Sequence, residues 1–428
     1  MARRPMVGLA RLSRAHRRIK KKLVFGTRHI RHIDIPLIVH PLISLPAGHP
    51  DNPFGVARPG LGLLPNELGG RDEKIDNTVV RLITGLQGTA MGWDYDTAIG
   101  YIHSDLKDTR TGYINYNAFV AAVNNGTYRF SGLGPNRTPA AVQATYSSPL
   151  GIEPTSSVKL IDFKASRELM KLAGGSLGVA LGAETRWEDA DTPPTPGTDT
   201  GSIVGLGYSS FKASRRVSAL FGEVNAPVTK WLELNGALRY DRYSDFGSST
   251  TPKVGFKFKP MDQLAFRGTY SEAFRAPGPA ETGGSSFGFT TIGILSQGNP
   301  NIQPEKAKSY TLGVVAEPWV GTSATVDLWK VDRKNEIVQA DPALILGNAP
   351  QTAAPLTKLP GVQPNSFIYY DSTGQLATVT GFYMNAASTK TDGIDIELRH
   401  RMNLGEMGKL TAQMNWSQRL LNPFFAGR

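Results

Sequence analysis

Residues Leu238–Pro260 read LRYDRYSDFGSSTTPKVGFKFKP. Apolar and charged residues alternate, a Gly/Ser/Thr-rich break follows, and the alternation then resumes. Successive side chains of a strand point to opposite faces. Leu238 and Tyr240 therefore share one face, and Arg239 and Asp241 share the other. Beyond the break, Val254, Phe256 and Phe258 oppose Lys253, Lys257 and Lys259. The stretch is two strands joined by a brief connection, each with one greasy and one charged side.

The same sorting recurs along the chain. In QLAFRGTYS, Leu264, Phe266 and Tyr270 oppose Gln263, Arg267 and Thr269. In IDIELRHR, Ile394, Ile396 and Leu398 oppose Asp395, Glu397 and Arg399. The pattern predicts strands near 77–87, 93–105, 157–170, 175–188, 213–226, 231–243, 252–259, 263–271, 307–317, 322–337, 379–402 and 409–419. Short links (GTAMG, LAGG, PVTK, PMD, EPWVG, NLGEMG) alternate with long ones (106–156, 189–212, 272–306, 338–378); only 244–251 is brief on that side. Tight turns at one end and long loops at the other are the habit of an up-and-down barrel that crosses a membrane.

Alternation also describes a soluble β-sandwich binding protein with its apolar face inward. Strand length and loop length argue against that reading. Soluble strands run to about 5–6 residues, whereas many here reach the roughly 9–11 that a tilted membrane crossing needs. Loops beyond about 12–15 residues are uncommon in compact domains, and here they recur on one side. The predicted class is all-β, an antiparallel up-and-down transmembrane β-barrel with about twelve strands visible. Aromatics such as Tyr240, Tyr270, Tyr310 and Trp416 are expected at the membrane interfaces.

The net charge of +11 belongs to one end of the chain. Eleven Lys/Arg and no acid fall between Met1 and His32, and the remainder holds 36 bases against 36 acids. Residues 1–44 form a basic arm, expected to be disordered or to come from a different reading frame. Residues 45–428 form the barrel. No nucleic-acid module or stacking platform accompanies the arm, so a nucleic-acid partner is not expected. The 428 residues include no Cys, which excludes disulfides and thiolate metal sites. No apolar window is long enough for a membrane helix.

Enzymatic signals are weak. Gly174–Gly175–Ser176–Leu177–Gly178 matches G-x-S-x-G, but a nucleophile elbow needs a following helix, and SLGVALGAETRWE alternates as a strand. His103 and His400 fall in predicted strands without a metal-ligand spacing. No catalytic residue, metal site or cofactor is expected. Arg239, Asp241, Asp395, Glu397 and Arg399 are expected to face the lumen, where mutual ion pairing is their simplest role. Ligand recognition is expected in the long loops, around SEAFRAPGPAETGGSSFGF and 338–378.

From Leu45 the sequence resembles the barrel of TonB-dependent outer-membrane receptors. The resemblance rests on LPAGHPDNPFG (from Leu45), the opening stretch, RGTYSEAFRAP ending at Pro277, GNPNIQPEKAKSYTLGVVAEP (from Gly298) and TDGIDIELRHR (from Thr391). It implies an outer-membrane location. It also implies uptake of a siderophore-type or other large, scarce solute, bound by loops and an amino-terminal plug. The TonB–ExbB–ExbD system would supply the energy through a TonB box, and no substrate bond would break. Neither plug nor TonB box is visible, and twelve strands fall short of the family's ~22, so a receptor fragment is expected. An outer-membrane β-barrel enzyme or adhesin is the alternative within the membrane class.

Overall fold

The structure is a computed structural model that describes residues 43–61, 68–130, 137–200, 202–289, 293–339, 368–370 and 376–420. The basic arm, apart from its last two residues, lies outside this set, as does most of 338–378.

Twelve long strands follow one another in antiparallel order. They are β1 (Asp72–Ala90), β2 (Trp93–Thr111), β3 (Thr155–Leu172), β4 (Gly175–Thr192), β5 (Tyr208–Pro227) and β6 (Leu232–Tyr243). Then come β7 (Gly247–Met261), β8 (Leu264–Arg275), β9 (Glu305–Ala316), β10 (Thr322–Gln339), β11 (Leu376–Asn403) and β12 (Lys409–Arg419). Each is hydrogen-bonded to its sequence neighbours, the up-and-down pattern the alternation predicted. Four short strands attach to the same sixteen-stranded sheet. Among the described residues no ladder joins β1 to β12; each pairs on one side only.

Every predicted strand is present, and most are longer than expected. β1 begins at Asp72 rather than 77, and β2 runs to Thr111 rather than 105. The extra length lies at the loop end. There both faces of a strand meet water, the apolar/polar contrast fades, and alternation no longer marks the strand. The connection 244–251 shrinks to three residues, because Gly247–Pro252 pair with β6.

The two faces of the sheet differ as the sequence requires. Leu312 is 51% exposed although apolar, and Leu220, Leu238, Tyr240, Val254 and Trp416 are similarly open on the same face. Across β8 to β12 the register stacks this face in rows. Phe266, Val314, Val326, Ile396 and Trp416 form one row. Leu312, Leu328 and Ile394 form the next toward the loops. From Ile394 to Met402 on β11 this face, apolar except for His400, covers about 26 Å of strand at ~3.3 Å per residue, the lower end of the roughly 9–11 residues that a tilted membrane strand uses. The charged pairs occupy the opposite face.

The loop end carries folded structure that alternation could not reveal. Residues 112–149 hold two helices, α1 (Tyr116–Asn124) and α2 (Ala140–Tyr146). Asn115 caps α1, its side-chain oxygen accepting the Ala118 N–H at 3.1 Å. Phe119, Ala122 and Val123, at helical spacing, turn inward against Tyr128, Tyr146 and Ile43. Phe119 meets Tyr128 and Tyr146 edge-on at 4.8 and 5.2 Å. This is a small apolar core above the barrel wall, built from one long loop and the segment from Ile43.

Placing Arg at Leu312 should lower stability by about 2–4 kcal/mol, the scale for a cation on the lipid face near the midplane. Ser309→Arg, on the polar face of the same strand, should change it far less. Urea unfolding of protein refolded into lipid vesicles measures both.

Candidate functional site

Two clusters of charge form on the polar face. The larger spans β4, β5 and β6 near the loop end. Strand period places Glu184, Arg186 and Glu188 on one side of β4. Arg186 donates to Glu184 at 3.0 Å and to Glu188 at 2.5 Å, and Arg215 of β5 reaches Glu188 at 2.6 Å. Arg239 of β6 donates to Asp241 at 2.8 Å and to Glu184 at 2.7 Å. Asp241 is 2% exposed, so it depends on Arg239 for compensation of its charge. Tyr243 lies under Arg186 and Arg215, whose guanidinium carbons sit 6.0 and 5.4 Å from the ring centre.

An open pocket of about 320 Å³ adjoins this cluster, lined by Arg186, Arg239, Asp241, Tyr243, Thr251 and Phe274 among others. It lies where the wall parts. The β7–β8 ladder runs down from Lys253↔Ser271 and does not continue above it. Pro252 stands at that point with no N–H to donate.

The second cluster spans β8 to β11. Arg267 donates to Asp327 with Nε–Oδ1 at 3.0 Å, across β9 at Gly313. A Cβ there would lie 1.9 Å from the Asp327 carboxylate, so glycine is what lets the pair reach over an intervening strand. Asp395 faces Asp327 directly in register. Glu397 accepts from Gln413 at 3.1 Å, and the Nε of Arg399 is buried without a hydrogen-bond partner.

At the loop end three further ties hold the connections. Arg275 bridges Glu281 at 2.9 Å and Glu305 at 2.7 Å, and Glu305 also accepts the Ile337 N–H at 2.8 Å. A hairpin, Ser285–Phe289 with Gly293–Gln297, pairs with β5 on one side and, in parallel, with β11 on the other. The segment from Ile43 is fixed by Asp51, which accepts from Arg129 through both oxygens and from the Phe130 N–H at 2.8 Å. The Arg129 hydrogen bonds, outweighing partial burial, hold the Asp51 carboxyl below its ordinary 3.8.

The G-x-S-x-G match sits in a hairpin: Gly174 lies in the turn, and Ser176 pairs with Lys171 in the ladder. The Gly174 N–H donates to Pro227 at 3.1 Å, and a Cβ on Gly174 would lie 2.1 Å from the Thr229 carbonyl. Glycine serves a close approach of two turns. His103 is within 3.0 Å of Asp105, and His400 within 2.7 Å of the Thr322 hydroxyl. Among the described residues no group of His and carboxylates has metal-binding geometry.

The structure thus joins Arg239 to Asp241 and sets Asp395, Glu397 and Arg399 along one face of β11. It does not bring the two sets together: four strands separate them, roughly 24 Å along the wall at ~4.8 Å per strand. Glu184, Arg186, Glu188, Arg215 and Tyr243 were not singled out from sequence. Their alternation, E-x-R-x-E followed by R-x-D-x-Y, was the available signal.

Residues 45–426 match the family described as TonB dependent receptor-like, beta-barrel. The chain belongs to this family of outer-membrane receptor barrels. The vitamin B12 transporter BtuB of Vibrio cholerae is 31% identical over 98 residues, covering 23% of this chain and 14% of the transporter. The probable TonB-dependent siderophore receptor PirA of Acinetobacter baumannii is 26% identical over 170 residues, covering 36% and 22%. The crystal structure of PirA from A. baumannii superposes with a TM-score of 0.48 at 15% identity, over 80% of this chain and 44% of that one. The chain therefore spans less than half of that solved relative.

Arg239→Ala strands the buried Asp241 carboxylate and should destabilise by about 1–3 kcal/mol. Adding Asp241→Ala should recover part of the loss in a urea-unfolding double-mutant cycle.

Because the folded pKa of Asp51 is depressed, its stabilisation is complete above 3.8 and lost as pH falls through the folded value. Hydrogen exchange at the Phe130 amide should therefore accelerate only in strong acid. In Asp51→Asn it should be fast at neutral pH.

Proposed function

We propose that this chain is barrel wall of an outer-membrane TonB-dependent receptor that imports a large, scarce solute of the siderophore or cobalamin kind. In this reading Arg239, Asp241, Asp395, Glu397 and Arg399 face the lumen, and the lipid of the outer membrane meets the apolar face. The TonB–ExbB–ExbD system supplies force from the proton gradient, and the solute crosses chemically unchanged.

One arrangement carries the reading beyond family membership. Among the described residues the connections 112–149 and 276–304 lie at one end of the sheet, where they form a folded cap, a cross-linking hairpin and the Arg275 ion pairs. A rigid wall bearing elaborated loops at one rim suits capture from one side of a membrane. The polar face suits contact with water or with another polar body inside the barrel. The names of the relatives point to the same class of solute.

The test is uptake of radiolabelled ferric siderophores and cobalamin by cells that depend on this gene. Accumulation should occur for one of them and collapse when a protonophore dissipates the gradient, while surface binding persists. Accumulation unaffected by the protonophore would overturn the energy coupling. Binding that never leads to accumulation would favour an adhesin.

A further inference from the structure

We propose that the free edge of β7 near the loop end captures an extended acidic segment of a partner protein, which pairs with it as an added strand. Pairing parity locates that edge. The Lys259 N–H donates to Trp231 at 2.7 Å, and hydrogen-bonded pairs of an antiparallel ladder recur at every second residue. In the unbroken β6–β7 register, Ser249 and Thr251 therefore turn their main chain toward β6. Ser248, Thr250 and Pro252 turn theirs the other way, toward the position of β8.

Above the parting, β8 does not answer them. The β7–β8 ladder ends at Lys253↔Ser271, and beyond it β8 moves to the polar side of the wall. Phe274 meets Tyr243 edge-on at 5.9 Å, and the Pro277 carbonyl accepts from Arg215 of β5 at 3.0 Å. Ser248 and Thr250 are exposed. Among the described residues no backbone group pairs with the N–H and C=O that they turn away from β6. An unpaired strand edge is a template for another extended chain, whose main-chain bonds supply the affinity.

Charge selects the guest. Alternate side chains of an added strand point to opposite faces. On the outward face they pass between Arg242, the partner of Ser248 on β6, and Lys306, the partner of Phe274 on β9. Both cations are exposed and have no ion-pair partner among the described residues. Glu272 of β8 is already engaged by Lys308 at 3.3 Å and by the Tyr270 hydroxyl. Acidic side chains on the outward face of the guest complement Arg242 and Lys306.

On the other face the guest meets the pocket of about 320 Å³ beside Tyr243 and Phe274. The charges in its lining, Arg239 and Asp241, are spent on each other at 2.8 Å, so an apolar side chain suits it. The segment recognised is therefore one in which acidic and apolar residues alternate. This binding needs neither uptake nor a proton gradient, and it goes beyond the transport reading.

Fluorescence polarisation with the full chain in phosphatidylcholine vesicles tests this, using a short labelled peptide that alternates Glu with Val. Two further probes carry N-methyl groups at alternate residues, one set in each phase. Because a strand turns alternate N–H groups to one edge, one set should bind roughly tenfold more weakly and the other should match the parent. Thr250→Pro removes a free donor but no β6 bond, and should weaken the parent peptide roughly tenfold. Arg242→Gln/Lys306→Gln should weaken it roughly fivefold. Lys230→Gln, in the turn at the opposite end, should match the wild type. The N-methylated probes need no change in the protein, which separates lost pairing from lost fold. No binding of the parent peptide, or equal binding of the two N-methylated sets, would overturn the proposal. So would an unchanged Thr250→Pro, or equal binding of a peptide with Lys in place of Glu.

Discussion

Hydrocarbon offers no partner to a backbone N–H or C=O, and each one left unpaired there costs several kcal/mol. Continuous ladders between neighbouring strands meet that constraint, and the rest of the structure follows from it. The strands must be long enough to cross, so they run from 11 residues in β12 to 28 in β11. Strands joined by tight turns such as 173–174 can pair only antiparallel with each other. Irregularity is pushed to the rim. Pro252, which cannot donate, stands where the β7–β8 ladder ends, and the pocket beside Tyr243 opens at that parting.

With the backbone spent on pairing, chemistry is left to the side chains, and strand geometry divides them between two surroundings. The apolar face needs no specific partners. The polar face does, and its arginines are engaged largely with carboxylates on their own and neighbouring strands. These networks fix strand against strand where packing cannot, because a wall one strand thick has no interior of its own. The buried Val217 beneath the Arg186 cluster and the open Gly313 beneath Arg267–Asp327 are two ways of making room for such ties. Among the described residues the apolar core of ordinary kind lies in the cap around Phe119 and Tyr146.

What could be read from sequence tracks these surroundings. Between lipid and a polar interior, alternation such as Leu234/Asn235 and Leu238/Arg239 is enforced at every residue, so strand positions and their facing were legible. Past Ser104 on β2, both faces meet polar surroundings and the signal vanishes, although the ladder continues to Thr111. The helices of 112–149 were hidden because a short amphipathic run such as YNAFVAAVN resembles any loop segment until its partner, the distant Ile43, is known. In the candidate site, Arg239 and Asp241 were visible as a charged face. Their link to Glu184, 55 residues earlier, depends on register across β5, which one sequence does not state. Gly313 was silent for the same reason: its value lies in what passes over it.

The hairpin at 285–297 has a mechanical consequence. By pairing with β5 on one side and β11 on the other, it completes a circuit of backbone hydrogen bonds: seven long strands and the two arms of the hairpin. The hoop is not level: the hairpin holds β5 at 208–210, whereas β6 joins β5 only from Val217 and β8 joins β7 only from Lys253. A hoop resists opening as a free flap does not, since widening it breaks a ladder. This sector is therefore a buttress, and the arc of β1 to β4 is braced by its connections instead: the Tyr116 N–H donates to Ser202 at 2.8 Å, the Val204 N–H to Ile114 at 2.8 Å, and Arg71 to the Val204 carbonyl at 3.1 Å.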